Sequence, residues 1–151
     1  VTSKPVSKSL CAIPLYQDEI MCVMHKEHAL AEAAFIQSSD FNNLHLIIHS
    51  FPLESVAVHK KFLAQHHTTP KKISAIPFTA VTLEMIKANM GVTCVPKWSL
   101  DVFNLSDQIV FKQIGEHGLK RTQYLSFREE DRSKKYINDF IENLQEEFWE
   151  I

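Results

Sequence analysis

The residues of this 151-residue chain that could do chemistry are eight histidines, three cysteines and a scatter of serines and threonines. Their spacing excludes most of what they could do. His25 and His28 stand three apart, as some zinc ligands do, but no second pair of ligands follows at close range. His66 and His67 are adjacent, a spacing that suits a solvated helix end better than a shared metal. Cys11, Cys22 and Cys94 match neither a zinc knuckle nor a redox C-x-x-C; each lies in an apolar run and reads as a buried, reduced thiol, which points to the cytoplasm. Glycine occurs only at 91, 115 and 118, too few and too scattered for a dinucleotide fingerprint or a phosphate-cradling loop. Ser3, Ser50 and Thr79 are conceivable nucleophiles, but no spacing holds a histidine and an acid against any of them. No catalytic residue, no metal and no cofactor is expected.

The same residue types suit binding. His49, Ser50 and Phe51 follow one apolar run, Phe78 and Thr79 follow another, and Trp98 follows a third, with Thr82 one helical turn beyond Thr79. Hydroxyls, one histidine and aromatics fit a small polar ligand with an apolar part. A helix beginning at Thr79 would also offer free backbone N–H groups to a carboxylate. The competing reading gives Thr79 and Thr82 no role beyond capping that helix.

The elements that must position these residues are read from periodicity. Short apolar runs at 11–16, 20–25, 44–49, 71–77, 92–95, 109–114 and 119–127 have strand length. The acidic pair Asp18-Glu19 is expected to break the first two apart. Residues 38–41 form a helical turn capped by Ser39 or Asp40, and residues 98–103 one or two more turns. Helices are expected over 54–65, over 79–90 with Leu83, Ile86 and Met90 on one stripe and Gly91 as left-handed stop, and from 129 to 149 with Ile137, Phe140, Ile141, Leu144 and Phe148 facing inward. Strand, helix, strand, helix, strand across 44–95 implies parallel pairing. Ligands of such sheets sit beyond the carboxyl ends of the strands, where the set above lies.

Charge and composition limit the partners. Sixteen basic against eighteen acidic residues give a net charge of -2, and the last helix carries eight acids and three bases over 129–150, so direct duplex binding by these residues is disfavoured. Lys60, Lys61, Lys71 and Lys72 make a basic interval that reads as a solvated helix face and a guarded edge strand. No apolar run approaches the length that spans a membrane. The opening at Val1, followed by a loop-like TSKPVSKS, suggests a piece of a longer protein.

Three segments resemble the effector-binding (substrate-binding) domain of LysR-type transcriptional regulators. They are 79–96 (TAVTLEMIKANMGVTCVP), 13–30 (IPLYQDEIMCVMHKEHAL) and 119–128 (LKRTQYLSFR) with the helix that follows. Within that family Phe78-Thr79, Pro96-Lys97-Trp98 and His49-Ser50-Phe51-Pro52 are similar to the methionine-biosynthesis activator branch. The resemblance implies an α/β, periplasmic-binding-protein-like two-lobe fold with the effector between lobes. It assigns 1–29 to a remnant of lobe one and crossing strands, 30–104 to a complete lobe two, and 105–151 to return strands and the closing helix of lobe one. It further implies a non-catalytic sensor whose effector is homocysteine, bound by Thr2, Ser3, His49, Ser50, Phe51, Phe78, Thr79, Thr82 and Trp98. DNA would be reached only through a winged-helix domain that precedes these residues. A partial lobe one would leave residues 10–25 and 137–148 exposed for self-association. A solute-binding module for transport and a small dehydratase on the same scaffold are the alternatives; the dehydratase expects an arginine beside its catalytic threonine, and Thr79 has none.

Overall fold

The computed structural model describes residues 1, 4–5, 7–100 and 107–149. They fall into two compact units, Val1–Asp18 with Lys120–Ile151, and Glu19–Leu119. The division differs from the expected 1–29, 30–104 and 105–151. Residues 20–25 and 109–113 pair in register with the strands of the second unit and go with it.

The second unit is built on β2 (His45–Ile48), β3 (Lys72–Ala75), β4 (Val92–Pro96), β5 (Ile109–Gln113) and the later part of β1 (Leu10–His25), in the order β3-β2-β4-β1-β5. β2 runs parallel to both β3 and β4, as the crossover lengths require. β1 is antiparallel to β4 and β5, which makes the sheet mixed. Along β2 successive side chains enter opposite cores. Leu46 and Ile48 join Ile20, Met24, Phe41, Leu63 and Val92 on one face, while Ile47 joins Val23, Ile86 and Ile109 on the other. Both faces of the strand are thus covered, which is why its residues are apolar without alternation.

Helix α1 (Thr79–Lys87) covers the second face with Ile86. It is shorter than expected. Met90 lies beyond its end and is exposed, and the left-handed residue at its close is Asn89, at φ 53°, not Gly91. Gly91 is needed for a different reason: a Cβ there would lie 2.6 Å from the carbonyl oxygen of His45. The His45 ring fixes this junction, with Nδ1 2.8 Å from the carbonyl oxygen of Met90 and Nε2 2.8 Å from Ser74 Oγ.

Other local expectations are corrected. The helix expected over 54–65 begins later: after a 3-10 turn (Leu53–Ser55) residues 57–63 are helical, with His59–Leu63 in π-helical form. The turn at Ser38–Asn43 is capped from Gln37, whose N–H donates to Asp40, so neither Ser39 nor Asp40 stands at the cap. After β4 a 3-10 turn spans Lys97–Ser99, and residues 101–103 lie outside the described residues.

In the first unit, the early part of β1 accompanies β6 (Leu119–Arg128). The expected break at Asp18-Glu19 is absent, and β1 is one strand of 16 residues. Asp18 stays in the strand because its carboxylate is paired with Arg121, at 2.7 Å from Nη2 and 2.8 Å from Nε. The acidic run 129–131 forms its own 3-10 turn, and α2 (Lys135–Trp149) starts beyond it. Ile137, Ile141 and Leu144 are half-buried, whereas Phe140 is exposed. Exposure of the whole 10–25 segment does not hold: Ile20, Cys22, Val23 and Met24 are buried in the second unit, where β4 and β5 flank them. Among the described residues no helix is long and apolar enough to cross a membrane.

Candidate functional site

Parallel pairing brings the carboxyl ends of β2, β3 and β4 to one edge of the sheet. Within the second unit a cavity of about 580 Å³ opens there. Its wall includes the later residues of β2 and β4, the first turn of α1, and Ser55, Val56 and Val58.

Five of the sequence-predicted residues line this cavity: His49 and Ser50 just past β2, Thr79 and Thr82 on α1, and Trp98 in the turn after β4. Phe51 and Phe78 do not. They sit at the same strand ends but are 59% and 69% exposed. Thr2 and Ser3 lie outside the described residues.

The start of α1 is open. Phe78 occupies the N-cap with extended backbone and supplies no side-chain cap, so the capping role considered for Thr79 and Thr82 is not the one they play. The first intrahelical bond runs from Thr82 N–H to the Phe78 carbonyl at 3.1 Å. The amides before it have no acceptor within the helix and carry the positive end of its dipole. Thr79, the first helical residue, and Thr82 stand at the cavity wall beside them.

Sequence reasoning missed Ser55, Thr93, Cys94 and Ser99 in the lining. Three of these have their hydroxyls committed to backbone carbonyls: Ser55 to Pro52 at 2.7 Å, Thr93 to Ile47 at 2.8 Å and Ser99 to Pro96 at 2.6 Å. They hold the wall in shape. Each of Ser55 and Ser99 follows a proline by three residues, a turn signal that would have placed them. Nothing local distinguishes Thr93 from a strand residue facing solvent.

Among the described residues the lining holds no Asp, Glu, Lys or Arg. Among the described lining residues no carboxylate stands with His49 to make the acid of a hydrolytic triad. The His45–Ser74 pair has the separation of a base and a nucleophile, but neither residue is in the cavity wall, and the other ring nitrogen faces a backbone carbonyl. Among the described residues no group of three or more His, Cys, Asp or Glu could hold a metal ion. What the arrangement can do is bind a small molecule by apolar contact, hydroxyls and backbone amides.

A sequence profile described as "LysR substrate binding domain" matches residues 1–149. The HTH-type transcriptional regulator MetR of Buchnera aphidicola is 27% identical over 143 residues, covering 93% of this chain and 45% of its own length. MetR of Haemophilus influenzae is 22% identical over 132 residues, covering 87% and 42%. The chain thus spans less than half the length of these relatives. Among solved structures, the regulatory domain of MetR, a LysR family regulator from N. meningitidis, superposes with a TM-score of 0.86 at 24% identity, covering 97% of this chain and 69% of that one. The Synechocystis CcmR regulatory domain in complex with 2-PG gives a TM-score of 0.81 at 15% identity, covering 98% and 71%.

Proposed function

The chain belongs to the LysR substrate-binding domain family, and we propose that it is a non-catalytic, ligand-binding regulatory domain that senses a small zwitterionic or anionic metabolite in the strand-end cavity. The observation that carries this reading is the uncapped start of α1 at the wall of a cavity whose described lining is uncharged. A carboxylate is the group that unsatisfied first-turn amides favour, with Thr79, Thr82, Ser50 and His49 as side-chain partners. Apolar wall and Trp98 suit a short aliphatic or sulfur-bearing tail. Homocysteine has both parts, and the MetR relatives are the reason to test it first.

In this reading Phe51 and Phe78 border the site. Effector binding favours one arrangement of the protein over another by its difference in affinity for the two. The parent protein is a cytoplasmic regulator that reaches DNA through a helix-turn-helix domain outside these residues. Calorimetric titration with L-homocysteine tests the proposal. Saturable binding is expected, weakened about tenfold by Thr79→Ala, which corresponds to one lost hydrogen bond of about 1.4 kcal/mol. No heat from a folded chain overturns homocysteine as effector. Binding unchanged by Thr79→Ala moves the site elsewhere.

Self-association is proposed through α2, where Phe140 is 54% and Tyr136 63% exposed. Sedimentation velocity is expected to show a dimer or larger species that Phe140→Ser converts to monomer. A monomer at all concentrations refutes it.

A further inference from the structure

The cavity wall contains one group that the effector reading leaves unused. Cys94, on β4, lines the cavity. In the antiparallel register it stands directly opposite Cys22 on β1. Directly opposed residues point to the same face, with Cβ atoms about 4.5–5.5 Å apart. The two cysteines accordingly share one apolar cluster, Cys22 fully buried within it and Cys94 packed against it. A disulfide needs its Cβ atoms about 3.5–4.5 Å apart, so a small approach of two neighbouring strands suffices. The chain therefore holds two free thiols, distant in sequence, one facing a solvent-connected cavity and the other directly behind it.

We propose that Cys22 and Cys94 form a reversible disulfide site, in which Cys94 meets a small peroxide through the cavity and Cys22 resolves it. The chemistry balances without another reactant. The Cys94 thiolate attacks one peroxide oxygen, the O–O bond breaks, and a sulfenic acid forms as water or an alcohol leaves. The Cys22 sulfur, losing its proton, then attacks the Cys94 sulfur and expels the sulfenic oxygen as water. Two thiols are oxidised by two electrons and the peroxide is reduced by the same two.

Two features set when this happens. The neighbouring Cys22 thiol and burial together hold the Cys94 thiol well above the ordinary thiol range. The thiolate is the nucleophile, so at neutral pH the pair reacts slowly and stays reduced unless oxidant persists. Below the raised pKa the thiolate fraction grows about tenfold per pH unit, and the rate of linkage rises in step. The link would also draw the Cys94 sulfur from the cavity wall toward β1. Its effect on effector affinity rests on the proposed function, but its formation does not.

The experiment treats the whole chain with hydrogen peroxide at pH 7 and pH 8, blocks remaining thiols under denaturing conditions and maps peptides by mass. Expected is a Cys22–Cys94 cross-linked peptide, faster at the higher pH, reversed by dithiothreitol and formed equally in Cys11→Ser. In Cys22→Ser, dimedone is expected to trap a sulfenic acid at Cys94; in Cys94→Ser, Cys22 is expected to stay unmodified. Recovery of Cys22 and Cys94 both as blocked thiols overturns the proposal, as does Cys94 oxidised beyond sulfenic acid with Cys22 intact. The wild-type map alone decides it if the Cys22 variant fails to fold. A cross-link that forms in a chain that ignores homocysteine leaves this site standing and removes only the effector.

Discussion

Asp18→Ala is expected to lower the stability of the chain by about 3–5 kcal/mol, the cost of leaving a buried charge without its partner. The Asp18 side chain is 2% exposed and that of Arg121 10%. Their contact is double, through Nη2 and Nε to the same carboxylate oxygen. With its amide oxygen turned to the guanidinium, Gln123 accepts at 3.1 and 3.3 Å. Alanine removes the carboxylate but leaves the guanidinium where water cannot reach it freely. Exposed pairs such as Arg128–Glu130, at 3.3 Å, are worth well under 1 kcal/mol by comparison. The pair as a whole need not be a net gain. Asp18→Leu with Arg121→Met removes both charges and is expected to recover most of the loss. Urea unfolding of the single and double variants measures both. A single-variant loss below about 1 kcal/mol would mean that the pair is not buried as described.

That pair also marks where the sequence stops being readable. Asp18-Glu19 has the local signature of a turn, and its partner stands 103 residues away. No window around Asp18 contains the reason it stays in a strand. The parallel core was legible because its cause is local. The lengths of the crossovers forbid hairpins, and the run Leu46, Ile47, Ile48 has no polar face to turn outward. The candidate site was legible to the same degree. Knowing that three strands end together places His49, Ser50, Thr79 and Trp98 at one edge, but not which way each side chain points. Phe51 and Phe78 were selected for residue type at that edge and turn out largely exposed. Thr93 and Cys94 were passed over because they lie inside a strand, and the wall they form exists only once β4 is seated between β2 and β1. Gly91 was recognised as a required glycine for the wrong reason: the constraint is the His45 carbonyl oxygen, contributed from β2.

Thr79→Asp is expected to separate stability from binding by moving them in opposite directions. Thr79 is the first residue of α1, exposed, and follows an N-cap without a side-chain cap. An aspartate there places negative charge beside the positive end of the helix dipole and gives the open amides an internal acceptor, worth about 0.3–1 kcal/mol of added stability. If those amides also receive the effector's carboxylate, the same side chain both occupies them and repels the incoming charge. Binding should then weaken at least about 100-fold, equivalent to roughly 2.7 kcal/mol. Thr79→Asn is the uncharged counterpart. It can compete for the amides but does not repel, so its loss should be nearer tenfold. Thermal unfolding and calorimetric titration on the same three proteins read both quantities. A merely structural role for Thr79 predicts that binding follows stability and improves or stays level in the aspartate variant. A large loss of affinity in a chain that has become more stable has no such explanation, because the fold has been strengthened at the very turn that the ligand is proposed to use.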